Sequence, residues 1–400
     1  MIVGIIGGNA LTIVFWVSLA LPVYSYVIYP LFVAVIGGVV ARAGARSQQM
    51  AEGTGLPPLL AVVVAAHNEE AHVAALISSL RAAYYPPERL KIYVGSDGST
   101  DGTVTVLKQL TDERLRVRAF DVNRGKATVL NDLMSEVTEP IVVFTDANTT
   151  FDRDALRTLA RRFEDARVGC VCGELVLKSA GSGDNIDNLY WKVERFLKWC
   201  ESAVGALLGA NGAIYAIRRE LFRPLRADTI VDDFCISMTV RVEGYRLIYE
   251  PRARAYEEMP ADLRDEFRRR VRIGIGNYQA FFRHPEYCFK TGPVAAFAYL
   301  SHKVLRWFTP HCLVVALGCS LALSRAVAFR WTVAVQLAAY GLLFALYHLN
   351  QRKPLLVLLR IPVFLAMLNA AFAVGFWRYV SGAYGGAWQR TSRTTGDKLA

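Results

Sequence analysis

Residues 59–70 read LLAVVVAAHNEE, an apolar run without polar interruption that ends in an acidic segment. An unbroken apolar run of this length is typical of a parallel strand that is buried on both faces. Comparable strands are expected at 90–96 (LKIYVGS), 114–120 (RLRVRAF) and 140–146 (PIVVFTD). Helical segments are expected between them, near 69–82, 103–111 and 127–136. This alternation predicts an α/β fold with a doubly wound, mostly parallel sheet.

The chain continues past the fourth strand with mixed helices and strands, among them GCVCGELVL and AIYAIRR. Residues 9–40 carry no charge, and a bilayer core needs about 20 apolar residues in a helix. Arg42 and Arg46 follow at once, so the positive-inside tendency places the middle of the chain in the cytoplasm. The expected organisation is a transmembrane anchor at 1–46, a cytoplasmic domain at 59–260, interfacial helices at 261–308, transmembrane helices at 309–380 and a basic tail at 381–400.

The membrane topology of the second half stays open. Spans are expected near 309–325, 331–349 and 355–380, whereas 294–308 is amphipathic and suits the membrane interface. Three spans would place the basic tail outside, against the charge rule. Either one segment is re-entrant, or 294–308 also inserts.

Composition narrows the classes of partner. The net charge of +11 fits nucleic acid, an anionic membrane surface or a phosphorylated substrate. No nucleic-acid-binding signature is present, and the long apolar segments favour the last two. Seven cysteines are scattered without a disulfide framework. Cys170 and Cys172 share one strand face, where buried small hydrophobes are favoured over half of a zinc site.

Polar residues follow each of the four expected strands, and the ends of parallel strands collect ligands in such sheets. The segments are HNEE at 67–70, SDGSTDG at 96–102, NRGK at 123–126 and DAN at 146–148. Carboxylates accept ribose hydroxyls and bind hard cations, while Lys126 before a helix suits phosphate. This mixture fits a sugar nucleotide with a divalent cation. A dinucleotide-binding site is disfavoured because no G-x-G-x-x-G follows the first strand.

Four segments, VVVAAHNEE, GSDGSTDGT, NRGKATVLN and FTDAN, resemble in this order the donor-binding half of family 2 glycosyltransferases. Further along, GANGAIYAIRR, VDDF and RRRVRIGIGNYQ resemble the acceptor-lid segment, the base motif and the Q-x-x-R-W helix of the membrane polysaccharide synthases in that family. The resemblance covers about 59–290 and is to hyaluronan, chitin and cellulose synthase-like membrane enzymes. It implies a GT-A-type fold and an inverting transfer from a nucleotide sugar, with uridine-type donors fitting the family best.

The resemblance also implies roles for individual residues on the donor side. Glu69 and Asp97 would lie at the nucleoside, and Lys126 close to the nucleotide. Asp146 and Asn148 match the D-x-D metal motif for Mg²⁺ or Mn²⁺. Asn148 departs from that motif, because an amide oxygen is a weaker ligand for a hard cation.

Asp233 matches the catalytic base, which takes the proton of the attacking acceptor hydroxyl. Asp232 would lie with it at the acceptor side and raise its pKa by like-charge repulsion. Asn211 and Gly212 match the acceptor-lid segment, where small residues let the backbone approach the sugar. An alternative for the aspartate pair is capping of the helix that follows.

Arg269 and Arg272 are three residues apart, share one helical face and match the diphosphate-binding helix of the family. The alternative is a basic helix resting on anionic headgroups. Ile273 stands where processive synthases have a tryptophan that contacts the acceptor sugar.

Three functions follow from these observations. The first is a polysaccharide synthase, the second a single-addition transferase acting on a lipid-linked acceptor, and the third a non-enzymatic membrane scaffold. The expected partners are a nucleotide sugar, one of these acceptors and membrane lipids, with no nucleic acid. The sugar, its linkage and homo-oligomerisation stay open.

Overall fold

The computed structural model describes residues 2–47, 55–178, 186–258, 263–352 and 357–385, and every structural statement concerns these residues. Most of the basic tail expected at 381–400 lies outside the described residues.

A mixed sheet forms the centre of the described middle part. Its strands are β1 Leu60–Ala66, β2 Leu90–Asp97, β3 Leu115–Phe120, β4 Ile141–Asp146, β5 Thr150–Phe151, β6 Val168–Lys178, β7 Tyr215–Arg218 and β8 Arg246–Glu258. Their order in the sheet is β3-β2-β1-β4-β7-β6-β8-β5. The first four strands are parallel to one another, as are β6 and β8, whereas β5 and β7 run antiparallel to their neighbours.

The helices that the structure describes surround this sheet and continue beyond it. They are α1 Ile2–Val23, α2 Tyr29–Ser47, α3 Glu70–Arg81, α4 Thr103–Gln109, α5 Lys126–Glu136, α6 Ala155–Arg161, α7 Ile186–Ala203, α8 Asp232–Val242, α9 Leu263–Arg283, α10 Glu286–Phe289, α11 Pro293–Ala298, α12 Leu305–Ala322, α13 Val327–Arg352 and α14 Val357–Val380. Single π-helical stretches join α1 to α2 and α11 to α12.

Strand β1 shows why the apolar run folds as it does. Every residue of it is buried, with alternate side chains in two different cores. Leu60, Val62 and Val64 pack on the face that carries α3, whereas Ala61 and Val63 pack on the face that carries α5. A strand with helices on both faces has no solvent side, so it needs no polar alternation.

Four helical stretches in the described part are long and apolar enough to cross a membrane. They are Ala10–Val40, Pro293–Ala322, Val327–Asn350 and Leu359–Val380. The second differs from the sequence expectation, because the amphipathic segment 294–308 continues through the π-helical turn into α12 as one 30-residue stretch. The apolar residues of 294–308 and of α12 therefore belong to one continuous helical stretch.

Helix α9 connects the catalytic part to these apolar helices. It packs along α14, where Gly274 and Gly375 allow close backbone approach: a Cβ on Gly375 would lie 3.1 Å from the carbonyl carbon of Gly274. Helix α8 packs in the same region through Phe234, whose ring centroid lies 6.0 Å from that of Trp307 and 6.1 Å from that of Tyr287. The position of both helices is thus set by the apolar segments behind them.

Candidate active site

The carboxyl ends of β1, β2 and β4 lie side by side and carry the polar segments expected from the sequence. Ala65 of β1 pairs with Gly95 of β2 and with Asp146 of β4. His67 follows β1, and its Nδ1 lies 2.6 Å from the carbonyl oxygen of Asp97 at the end of β2. The parallel register therefore brings residues from distant parts of the chain to one edge.

Asp97 is fully buried and holds the loop that precedes α5. Its Oδ1 accepts a hydrogen bond from the backbone N–H of Arg124, and its Oδ2 accepts one from Gly125, both at 2.8 Å. Gly125 adopts φ +92°, a conformation that glycine enters without steric cost. The observed contacts position the start of α5, and the direct donor contact that the family implies for Asp97 stays a prediction.

Lys126 bridges two carboxylates from different elements. Its Nζ lies 2.8 Å from Oδ1 of Asp146, at the end of β4, and 3.0 Å from Oδ2 of Asp232, at the start of α8. Burial alone would lower the pKa of Lys126, but the two carboxylates outweigh it and raise the pKa above its ordinary value. The lysine is therefore a permanent positive charge between the two halves of the site.

Asp233 has the protonation behaviour of a general base. Burial raises its pKa, the Asp232 carboxylate raises it further, and the value reaches about 6 although Lys126 opposes the change. Its Oδ1 accepts a 2.8 Å hydrogen bond from the N–H of Phe234. This bond to the N–H of Phe234 is local to the start of α8, so it agrees in part with the helix-capping alternative. The other carboxylate oxygen of Asp233, Oδ2, lies towards Gly212. A carboxylate with a pKa of about 6 is ionised at neutral pH and still basic enough to accept a proton.

The loop before β7 comes closest to both acidic groups. A Cβ on Gly212 would lie 3.2 Å from Oδ2 of Asp146 and 3.6 Å from Oδ2 of Asp233. A larger residue at 212 would therefore fill the space between these carboxylates. The structure brings Asp146, Gly212, Asp232 and Asp233 together, and the roles that the resemblance implies for them stay predictions.

Asn211 shapes this loop through its own side chain. Its Oδ1 accepts a hydrogen bond from the N–H of Ile214 at 3.1 Å, and its Nδ2 donates to the carbonyl of Gly173 at 3.1 Å. Ser237 ties the same loop to the base helix, since it accepts from the N–H of Ala210 and donates to the carbonyl of Asp233. A serine one turn into a helix gave no sequence signal for this link.

Glu69 directly precedes α3. Its Oε2 is 2.9 Å from Nδ1 of His72, and its backbone N–H donates to Oγ1 of Thr103 at 2.8 Å. Its side chain is 16% exposed, and its contact with the nucleoside stays a prediction.

Arg269 and Arg272 differ in their surroundings although both lie on α9. Arg272 feels the carboxylates of Asp232, Asp146 and Asp233, and its side chain is open to solvent through the cleft. Surrounding protein nevertheless lowers its pKa. Arg269 lies one turn earlier, with Nη1 3.8 Å from Oε2 of Glu266. Of the two arginines, Arg272 is therefore the one that the carboxylates of Asp146, Asp232 and Asp233 attract.

The structure provides only some of the ligands that the metal ion expected at Asp146 and Asn148 would need. The described residues contain no group of three or more His, Cys, Asp or Glu side chains placed to hold a metal ion. Asp146 offers one carboxylate of the kind that hard cations prefer, and its Oδ1 is paired with Nζ of Lys126. Asn148 donates its amide N–H to Glu257, a contact that the sequence analysis missed. Asp146 and Asn148 could therefore hold Mg²⁺ or Mn²⁺ only if the substrate supplied several of the other ligands of the cation.

Comparisons with known proteins bear on the family and the fold of this chain. Residues 61–223 match the family model for glycosyl transferase family 2. A solved mannosyltransferase from Pyrobaculum calidifontis, in complex with GDP-Man and Mn²⁺, superposes with a TM-score of 0.64 at 21% identity, covering 93% of this chain and 100% of that one. The GT-A-type fold predicted from the sequence is thereby confirmed.

Curated relatives include poly-beta-1,6-N-acetyl-D-glucosamine synthases. The protein from Staphylococcus epidermidis is 25% identical over 231 residues, and that from Staphylococcus aureus strain COL is 25% identical over 228 residues. The first match covers 56% of this chain and of the relative, and the second covers 55% of each. The chain therefore aligns with little more than half the length of these curated relatives.

Proposed function

We propose that this chain, which carries a family 2 glycosyltransferase domain at residues 61–223, transfers a sugar from a nucleotide donor to a growing polysaccharide at a membrane. The observation that carries the proposal is Asp233: a carboxylate with a raised pKa that lies beside Gly212 and Asp146. The curated relatives named above, which are polysaccharide synthases, support the choice of product.

The proposed reaction is inverting. The acceptor hydroxyl gives its proton to Asp233 while its oxygen attacks the anomeric carbon from the side opposite the diphosphate. The bond from the anomeric carbon to the phosphate oxygen breaks, and the nucleoside diphosphate leaves with both electrons of that bond. Since diphosphate is a stable leaving group when its charge is offset, no second carboxylic acid is needed.

The donor side supplies this charge compensation. Lys126, Arg269 and Arg272 are the cations that we assign to the diphosphate, and Glu69 and Asp97 to the nucleoside side. A divalent cation held by Asp146, with the amide of Asn148 as a weaker ligand, would supply Lewis acidity at the diphosphate when bound. Uridine-type donors are proposed on the family resemblance.

The acceptor side is assigned to the loop and helix that face Asp146. Gly212 leaves room for the sugar, Asn211 fixes the loop conformation, and Asp232 completes the acidic wall. Asp232 also keeps Lys126 in place, because its Oδ2 lies 3.0 Å from Nζ. Of the bounds proposed from the sequence, we keep the catalytic domain at 59–260. Of the interfacial segment proposed at 261–308, the residues from Pro293 onwards belong to a candidate membrane span.

Four candidate membrane spans support a membrane location. Arg42 and Arg46 directly follow the first of them, so we place the catalytic domain on the cytoplasmic face of a plasma membrane. The chain would then meet its nucleotide sugar in the cytoplasm.

A second candidate function is single addition to a lipid-linked acceptor. It is favoured by Ile273, which stands where processive synthases place an acceptor-contacting tryptophan. The scaffold alternative is weaker, because Asp146, Asp232 and Asp233 are gathered around Lys126 as a transferase needs.

Product size distinguishes the two enzymatic proposals. Membranes that contain the full chain are incubated with radiolabelled nucleotide sugars, and the products are sized by gel filtration. Long polymer supports the synthase, whereas a lipid product carrying one sugar overturns it in favour of the second function. Asp233→Asn serves as the matched control: it is expected to lose transfer by about 10²- to 10⁴-fold, the usual contribution of a general base, while still binding donor.

A further inference from the structure

A partly open cavity of about 170 Å³ lies between helices α8 and α9 and the apolar helices. Phe234 of α8 and Ile273 of α9 form its catalytic side, and Tyr26, Lys303 and Leu368 form its other side. The last three residues belong to three different candidate membrane spans. The cavity is therefore next to Phe234, the residue that follows Asp233, and it borders three candidate membrane spans.

Two arginines that line the cavity already have carboxylate partners. Nη1 of Arg306 lies 2.7 Å from Oε1 of Glu194, and Nε of Arg270 lies 2.5 Å from Oε1 of Glu266. Both pairs are largely shielded from solvent, with side chains 11–15% exposed. These arginines make the cavity polar, but each has its charge offset within the protein.

Lys303 attracts Glu194 and Glu201 without a direct ion pair to either in the described part of the chain, and one ring nitrogen of its neighbour His302 has no hydrogen-bond partner there. Within the described residues, no carboxylate forms an ion pair with the ammonium group of Lys303, which lines the cavity. His302 is 1% exposed, and its Nδ1 lies 2.6 Å from Oε1 of Glu201. Its Nε2 has no hydrogen-bond partner in the described part of the chain, since Oε2 of Glu194 is 3.6 Å away. Buried polar atoms left in this state cost free energy unless a ligand satisfies them.

We propose that this cavity binds the phosphate group of a membrane lipid. An ammonium group in a partly open, partly apolar site attracts an anion more strongly than a neutral sugar, and lysine is a common phosphate ligand. Leu368 and Phe372 supply apolar wall for the first part of the lipid chain. The binding step does not require transferase activity. Where the proposed function also holds, a lipid seated here lies beside the residue that follows Asp233.

Binding is tested on the full chain in detergent by titration calorimetry. The probe is dioctanoyl-phosphatidic acid, compared with dioctanoylglycerol, which lacks the phosphate, and with inorganic phosphate, which lacks the lipid. Saturable binding of phosphatidic acid is expected, with both comparison compounds much weaker. Lys303→Gln should weaken the binding by about tenfold or more, as expected for a charge-assisted contact.

The matched control is Arg330→Gln, which removes one cation from an exposed position on α13, outside the cavity. It should leave the affinity nearly unchanged. Equal losses in both variants would overturn the proposal in favour of general attraction to a basic membrane protein. Equal affinity for dioctanoylglycerol would reject the phosphate, and equal affinity for inorganic phosphate would reject the lipid.

If Lys303→Gln does not fold, two further variants test whether the lipid phosphate binds in this cavity. Lys303→Arg keeps the charge and is expected to retain binding, whereas Ile273→Trp fills the cavity and is expected to abolish it. Folding of each variant is checked by its thermal unfolding profile. Retained lipid affinity in a folded Ile273→Trp protein would contradict the proposed location.

Discussion

The side-chain amide of Asn148 donates a 3.0 Å hydrogen bond to Oε1 of Glu257. Glu257 lies near the end of β8 and is only 5% exposed. A carboxylate at 148 would place a second negative charge beside this buried one, which is unfavourable without a cation. The departure from D-x-D at Asn148 therefore has a local physical reason.

Asn148→Asp is expected to make the protein more dependent on a divalent cation. The apo variant should melt several degrees below the wild type, because two carboxylates are then forced together near β8. Mn²⁺ should raise the Tm of this variant more than that of the wild type, since a cation offsets the added charge. Thermal unfolding with and without Mn²⁺ measures both effects.

The control for this prediction removes the second charge. In Asn148→Asp/Glu257→Gln, the amide at 257 can bond to the new carboxylate, so most of the apo stability should return. Equal Mn²⁺ effects on the Tm of wild type and Asn148→Asp would show that residue 148 does not sense the cation.

The pH profile of transfer should have an acid limb near pH 6. Asp233 must be ionised to accept the acceptor proton, and its pKa of about 6 means that kcat/KM rises as pH increases through 6 and then levels off. Lys126 lowers this pKa. Lys126→Gln should therefore shift the acid limb to higher pH, in addition to weakening donor binding.

Lys108→Gln provides the comparison, because Lys108 is an exposed lysine on α4. Its profile should match that of the wild type. An unmoved acid limb in Lys126→Gln would mean that a group other than Asp233 sets the limb.

Arg272→Gln is expected to weaken binding of the nucleoside diphosphate by about tenfold or more, the scale of one charge-assisted hydrogen bond. Arg269→Gln should act in the same direction, and more weakly if Glu266 holds it away. Arg268→Gln is the control on the same helix, since its side chain is 78% exposed and pairs with Asp265. Calorimetric titration with the diphosphate compares the three. Similar losses in all of them would indicate general electrostatics of α9 instead of a diphosphate clamp.

Asp97→Asn is expected to loosen the loop at 123–126. Asparagine offers one oxygen and one N–H₂ group where two backbone N–H groups donate, so one buried donor is left facing another. The cost should be about 1–3 kcal/mol, and amide hydrogen exchange should become faster at Arg124 and Gly125. Unchanged exchange there, together with lost donor binding, would instead favour a direct nucleoside contact for Asp97.

The parallel half of the sheet was predictable because burial leaves a simple pattern in each strand. β1 and β4 lie within one residue of the expected bounds, and the polar ends that follow them meet as expected. The helix expected at 103–111 ends earlier, at Gln109. The polar run that follows, Thr111-Asp112-Glu113, turns the chain towards β3.

The other features of the fold and of the candidate site could not be predicted, because they depend on contacts between residues far apart in the sequence. The pairing of Asn148 with Glu257 spans 109 residues, and the link from Ala210 through Ser237 to Asp233 uses an ordinary helix serine. Neither side chain stands out in its own stretch of sequence. Likewise, segment 294–308 has the charge pattern of an interfacial helix, and its continuation through a π-helical turn into α12 is visible only in the structure.

The ring of Phe234 limits how the enzyme can be divided for experiments. It lies within 6.2 Å, centroid to centroid, of the rings of Tyr287, Tyr299 and Trp307, and the last two belong to a candidate membrane span. A fragment cut before residue 286 would lack these three rings and leave Phe234 uncovered beside Asp233. Crystallisation or screening of the isolated catalytic half would then describe an enzyme whose base helix has lost its support, so fragments should extend at least through Trp307.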